Sequence, residues 1–168
     1  KKDGLEYLIA AFDEVARSFN DIELVFSGLA HSQDFEKINQ QIQKATNHKR
    51  ILYKGYLGTD DYYALLNSCD IFCMTRVDSK FANAGFPFKL GEFLASGKAI
   101  IATRVGDVPD YLVNDKNALL ISPNSVDEIA AALKILISDA AKRQALGIEA
   151  RKTAERYFDS ENISKELL

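Results

Sequence analysis

In the stretch Gly85-Phe86-Pro87-Phe88-Lys89-Leu90-Gly91-Glu92, a lysine and a glutamate stand three residues apart just after a proline. The apolar beat of Leu90, Phe93 and Leu94 predicts a short helix from Pro87 to Ser96, with Pro at its first position and Gly97 just past its end. Lys89 then opposes the positive end of the helix dipole, at a cost of roughly 0.3–1 kcal/mol. An anion removes that objection. The first-turn amides of Phe88, Lys89 and Leu90 lack helical partners, and Pro87 has no N–H to leave orphaned, so together they make an oxyanion nest. Gly85 lets the backbone approach a ligand closely. A diphosphate would offset the dipole penalty through charge-assisted hydrogen bonds of about 1.5–3 kcal/mol each. Glu92, an acceptor-only carboxylate, suits two hydroxyl donors at once, as a ribose diol offers. The same spacing also makes an i, i+3 surface ion pair worth a few tenths of a kcal/mol.

The elements that hold these residues alternate between helical and strand periods. Leu5, Leu8, Ile9, Phe12, Val15, Ala16 and Phe19 form one helix face, followed by a strand from Ile22 to Phe26. Phe35, Ile38, Ile42 and Ala45 make a weaker helical stripe, and Ile51 to Tyr53 a short strand. Thr59 reads as the N-cap of a helix from Asp60 to Asn67, whose Asp60 and Asp61 sit at the favourable end of the dipole. Three more strands are predicted at Ile71 to Met74, Ala99 to Ala102 and Ala118 to Ile121. Ser125 and Glu128 form a capping box for a helix from Val126 to Ser138; Asp139 caps a long one ending at Tyr157, and Ser160 a short last one. Short apolar strands separated by helices define an α/β domain with a doubly wound parallel sheet, whose ligands bind outside the carboxyl ends of the strands. Such a domain ordinarily opens with a strand. This chain opens with a helix at Gly4, so a first strand is expected ahead of Lys1.

The chain has 168 residues, 47% hydrophobic and 27% charged, enough for one domain with a full core. A net charge of -3 argues against a nucleic-acid surface, which needs clustered Lys and Arg. The two cysteines, Cys69 and Cys73, lie at or in a predicted buried strand with no histidine beside them; they read as free thiols in a reducing, cytoplasmic setting, and no metal site is expected. No run approaches membrane-spanning length and no signal peptide is visible. None of the nine glycines forms a G-x-G pair, which excludes the dinucleotide fingerprint. Gly91 to Ala99 only superficially resembles a Walker A loop, because Gly97-Lys98 ends a helix instead of starting one. His31 and His48 occupy polar, loop-like contexts and read as surface residues. A phosphoacceptor receiver domain is disfavoured, since none of Asp60, Asp61 and Asp70 closes a strand.

Lys2 to Phe12 (K-D-G-L-E-Y-L-I-A-A-F), Ile51 to Leu57 (I-L-Y-K-G-Y-L), Asp70 to Thr75 (D-I-F-C-M-T) and Gly97 to Asp110 (G-K-A-I-I-A-T-R-V-G-D-V-P-D) are individually weak signals. In this order and at these separations the sequence resembles the C-terminal, donor-binding half of a GT-B-fold retaining glycosyltransferase. The resemblance implies a Rossmann-like domain over residues 1–168, with an N-terminal acceptor domain absent from this chain. The helix from Pro87 would receive the diphosphate of a UDP- or GDP-hexose through Gly85, Phe86, Phe88, Lys89 and Leu90, and Glu92 would hold the ribose. Lys2 stands one residue from the basic position of the opening block; a frayed terminal lysine is the alternative. The turn from Gly55 to Leu57 would line the base, with Tyr56 stacked on it or simply packed. Gly28 and Gly106 stand where the family has glycine-rich turns. No metal is implied, the helix dipole and basic side chains neutralising the leaving group. The acceptor would be a saccharide or lipid-linked, with peripheral membrane association through the missing half.

The sequence also departs from the family. Its motif has two glutamates, and Ala84 occupies the place of the first, which contacts the transferred sugar; Asn83 or the loop from Arg76 to Phe81 is the expected substitute. Gly106-Asp107 replaces a Gly-Gly pair, Asp110 the glutamate that follows it, and Gly28-Leu29-Ala30 a G-x-G turn. No catalytic residue is assigned. A non-catalytic sugar-nucleotide-binding or docking module, and a sugar-nucleotide epimerase, remain alternatives.

Overall fold

Gly4 starts the first helix against the end of a distant strand. It has a φ of 56°, and a Cβ there would come 2.1 Å from the carbonyl oxygen of Thr75, so only glycine fits. The Thr75 hydroxyl completes the junction by donating to the Asp3 carbonyl at 3.1 Å. The computed structural model in which these contacts lie describes residues 3–29 and 32–159. Lys2, His31 and the short helix expected from Ser160 lie outside the described residues.

In chain order the elements are α1 (Leu5–Val15), β1 (Leu24–Phe26), α2 (Ser32–Lys44), a 3-10 turn (His48–Arg50), β2 (Ile51–Tyr53), α3 (Thr59–Ser68), β3 (Ile71–Met74) and α4 (Lys80–Asn83). They continue with α5 (Lys89–Ala95), β4 (Ala99–Thr103), α6 (Val108–Tyr111), β5 (Leu119–Ile121), α7 (Val126–Ser138) and α8 (Ala140–Tyr157). Every strand pairing is parallel, as the short buried runs predict. The ladder comes in two pieces, β1-β2 and β3-β4-β5, where the sequence leads one to expect a single sheet. Side chains hold the pieces together. Leu8 and Val15 of α1 pack with Ile101 and Ile129, while Ile9 and Phe12 of the same helix pack with Ile42 and Ile51.

Both faces of the larger sheet are covered. Ile101 of β4 points into the cluster of α1 and α7, whereas Ile100 and Ala102 point into that of α5 and α8. All five residues of β4 are buried, which fixes it as the central strand. On α5, Leu90 and Leu94 are one turn apart and both fully buried, each contributing about 1.5–3 kcal/mol. That phase is what turns the polar positions of α5 outward. On α8, Gly147 passes so near the Gly97 turn that a Cβ would meet the Gly97 carbonyl at 2.1 Å.

The helix ends follow their caps with two differences, and one strand starts later than expected. Asp139 accepts from the Lys142 amide at 2.8 Å as expected. Ser125 accepts from the Glu128 amide at 3.2 Å, but Glu128 returns to the Ser122 amide at 2.7 Å, outside the predicted box. Thr59 is the first residue of α3 and Gly58 the N-cap, so Thr59 does not cap. β1 begins at Leu24, because Ile22 packs as a side chain beneath the sheet without joining the ladder.

Candidate functional site

The parallel strands bring the ends of β1 and β2 to one edge, and the segment after each curls over it. Gly28 donates its amide to the Gly55 carbonyl at 2.8 Å, and the Tyr53 hydroxyl donates to the Gly28 carbonyl at 2.6 Å. The two turns are thereby clipped together, with Gly28 at φ 139° and Gly55 at φ 67°. Facing them across a cleft of about 330 Å³ is the start of α5. Gly28, Tyr56, Lys89 and Glu92, singled out in the sequence, all line this cleft. Leu57, from the turn that the resemblance sets against the base, lines it with them, as do Ser27, Thr59, Tyr62 and Tyr63, which were not foreseen.

Glu92 is held from α3. The Tyr62 hydroxyl donates to Glu92 Oε2 at 2.5 Å. Burial, and then the bonded carboxylate, push the Tyr62 phenol well above its ordinary value, so it is a proton donor throughout the working pH range. Lys89 is exposed and makes no ion pair with Glu92, so the i, i+3 pairing allowed by their spacing is not formed. Tyr56 is 73% exposed at the cleft wall, a flat ring without a stacking partner among the described residues.

The amide nest is smaller than the sequence implies. α5 begins at Lys89 because the chain ahead of it is tightly turned: the Phe88 amide donates to the Phe86 carbonyl at 3.1 Å and the Leu90 amide to the Pro87 carbonyl at 2.7 Å. Those two donors are used internally, which corrects the expectation for Phe88 and Leu90. The Lys89 amide has no backbone partner among the described residues. The Leu90 side chain is fully buried, and Phe86 packs against Phe88, Tyr111 and Phe158. Neither residue lines the cleft.

Gly85, Asn83 and Gly106 form a neighbouring bonded unit. The guanidinium of Arg76, only 6% exposed, donates to the carbonyls of Gly85 at 2.9 Å and Ala82 at 2.6 Å. Asn83 donates to Asp78 at 2.8 Å and accepts from the Gly106 amide at 3.1 Å, so that amide is already engaged. Ala84 lies exposed at the end of α4. The loop after β3 is thus braced from within by Arg76, a role the sequence does not signal. A second groove of about 200 Å³, lined by Tyr111, Lys116, Glu149, Lys152 and Arg156 among others, contains none of the predicted site residues.

Among the described residues no group of histidine, cysteine and acidic side chains fits a metal, and no helix is long and apolar enough to cross a membrane. Cys73 is half-buried on β3 and Cys69 half-buried at the end of α3. His48 is half-buried, with a ring nitrogen 3.2 Å from the Ala45 carbonyl.

A parallel α/β domain with its cleft at the strand ends, formed by two glycine turns and a short helix carrying a lysine and a glutamate, is the C-terminal, Rossmann-like architecture of a GT-B glycosyltransferase. The chain belongs to the glycosyl transferases group 1 family, whose model matches residues 1–153. It is 25% identical over 166 residues to an uncharacterized glycosyltransferase of Methanocaldococcus jannaschii, covering 98% of this chain and 40% of that one. It is 29% identical over 113 residues to an MMP alpha-(1->4)-mannosyltransferase of Mycolicibacterium hassiacum, covering 67% of this chain and 26% of that one. The crystal structure of the C-terminal domain of a group 1 glycosyl transferase from Francisella tularensis superposes with a TM-score of 0.83 at 25% identity, covering 94% of this chain and 80% of that domain. Anabaena HepE in complex with UDP-glucose shares the fold, with a TM-score of 0.85 at 20% identity over 98% of this chain and 44% of that one. The chain spans about two-fifths of the length of curated relatives such as the M. jannaschii protein.

Proposed function

We propose that this chain is the donor-binding part of a retaining hexosyltransferase, which holds a UDP- or GDP-hexose for transfer to a saccharide or lipid-linked acceptor. The observation that carries the reading is the convergence of Gly28, Tyr56, Lys89 and Glu92 on one cleft at the strand ends, from three separate stretches of sequence. The HepE complex with UDP-glucose, on the same fold, supports it. In this reading Glu92 accepts from the ribose diol, Lys89 and its free amide meet the diphosphate, and Tyr56 covers the base. Catalysis is positioning and stabilisation of the departing diphosphate, with no metal. An acceptor-binding domain precedes Lys1, in keeping with the share of its relatives that the chain spans.

The test is thermal unfolding with UDP and GDP, each with and without EDTA. Ligand at 100 times its Kd stabilises by about 2.7 kcal/mol, a rise in Tm of roughly 5–10 °C for a domain of this size. EDTA should leave the rise unchanged, and Glu92→Ala should sharply reduce it. No rise with either nucleotide would refute the reading.

Ala84, in the place of the family's sugar-contacting glutamate, favours one second reading: a partner-docking module without transfer activity. Ala84→Glu should preserve or tighten sugar-nucleotide binding if the site meets a sugar. A docking module that never meets one would bind no sugar nucleotide in either form.

A further inference from the structure

We propose that Tyr62 is the positioning residue for Glu92, and that its phenol gives the cleft its preference for a ribonucleotide over a 2′-deoxyribonucleotide. The inference rests on the reading of Glu92 as the ribose ligand and adds to it a residue that neither the sequence motif nor the comparisons assign.

The two side chains come from different helices, Tyr62 from α3 and Glu92 from α5, and meet at 2.5 Å inside the cleft that both line. The donor is itself well placed. Tyr62 is half-buried, with its ring against the cluster of Leu66, Phe72 and Leu90, so the hydroxyl is presented from a packed ring. A glutamate on a helix has three rotatable bonds, and an unrestrained one must give up that freedom when it captures a diol. Here the Tyr62 bond has already fixed one carboxylate oxygen before any ligand arrives. Oε1 and the second lone pair of Oε2 remain as acceptors for two hydroxyls.

The bond also decides between the two uses of Glu92 that its spacing from Lys89 permits. With Tyr62 in place, Glu92 pairs across the cleft and Lys89 keeps its charge uncommitted. Without the phenol the carboxylate has no fixed partner on α3, and the i, i+3 pair with Lys89 becomes its nearest alternative. That collapse would withdraw the acceptor from the diol and the cation from the diphosphate together.

The experiment is a calorimetric cycle on the chain, with UDP, GDP and their 2′-deoxy forms, for the wild type, Tyr62→Phe, Glu92→Ala and the double variant. Tyr62→Phe keeps the ring and removes one oxygen. It should weaken the better ribonucleotide about tenfold, as expected when a fixed acceptor becomes a mobile one, and affect its 2′-deoxy form far less. In the Glu92→Ala background the same substitution should change nothing further. Glu92→Asp, which draws the carboxylate away from Tyr62 while leaving the tyrosine packing intact, should also lose the ribose preference, and it serves should Tyr62→Phe unfold. Equal weakening of ribo and deoxy ligands, unchanged affinity in Tyr62→Phe, or additive effects in the cycle would overturn the proposal while Glu92→Ala still weakens binding. A wild type that binds neither UDP nor GDP overturns the functional reading itself, and this inference with it.

Discussion

The amide of Gly28 donates to the carbonyl of Gly55 at 2.8 Å, joining the turn after β1 to the turn after β2 at the mouth of the cleft. The Tyr53 hydroxyl reinforces this clip from below through the Gly28 carbonyl. Tyr53→Phe keeps the ring stacked on Phe26 and removes only that bond. It should lower unfolding free energy by about 0.5–1.5 kcal/mol in urea. Because both turns line the cleft, UDP or GDP affinity should fall with it, roughly fivefold per kcal/mol. Full affinity at reduced stability would show that the clip serves folding alone.

Lys89 is exposed and unpaired with Glu92, so its removal should cost the fold nothing. Lys89→Ala is expected to leave stability within about 0.5 kcal/mol of the wild type. The same variant should weaken UDP or GDP by about 10- to 100-fold, the worth of a charge-assisted bond. Uridine and guanosine, which carry no diphosphate, should bind both proteins alike. Equal losses for nucleoside and nucleotide would place the lysine elsewhere.

Asp13 on α1 carries an acid-sensitive contact. Its carboxylate accepts from the Asn47 amide at 2.7 Å, the Thr46 amide at 3.1 Å and the Asn47 side chain at 3.1 Å. Burial alone would raise its pKa, but these donors outweigh burial and hold it below the ordinary carboxylate value. Since the folded value is the depressed one, the stabilisation is complete above the ordinary carboxylate range and is lost as pH falls through the folded value. Asp13→Ala should therefore cost about 1–3 kcal/mol at pH 7. The gap from the wild type, followed by urea unfolding, should narrow as pH drops below about 4. A gap independent of pH would contradict the assignment.

Both thiols should be sluggish. Burial, with Cys69 nearby, pushes Cys73 up to about 12, and burial with the neighbouring Asp70 raises Cys69. The thiolate is the reactive form, so at pH 8 a disulfide reagent should modify the folded chain far more slowly than the urea-unfolded chain. Rapid modification of the folded chain would mean that one of the thiols is open to solvent.

Much of the fold was legible because its signals are local. The continuous apolar run of β4, the Asp139 cap and Gly97 beyond the end of α5 each report the conformation of their own few residues. The cleft was legible in part for the same reason: Pro87, Lys89 and Glu92 announce a helix start with an unusual lysine. Where reading failed, backbone partners were the cause. The Phe88 and Leu90 amides turned to neighbouring carbonyls, and the Glu128 carboxylate found the Ser122 amide, because an unmet backbone donor is costly and a partner a few residues away meets it with little further ordering of the chain.

By itself the sequence determined the order of the strands and of the longer helices, the parallel pairing of buried strands and the chemical types offered at the start of α5, since periodicity and capping act within a few residues; it did not show the short helices α4 and α6 or the break between the two pieces of the sheet. Only the tertiary structure decided that Glu92 would face Tyr62 instead of Lys89, that Arg76 would brace Gly85 from the interior, and that the turns after β1 and β2 would close one side of the cleft. Those pairings join elements brought together by packing, and no spacing along the chain encodes which side chains meet once two helices settle on a sheet.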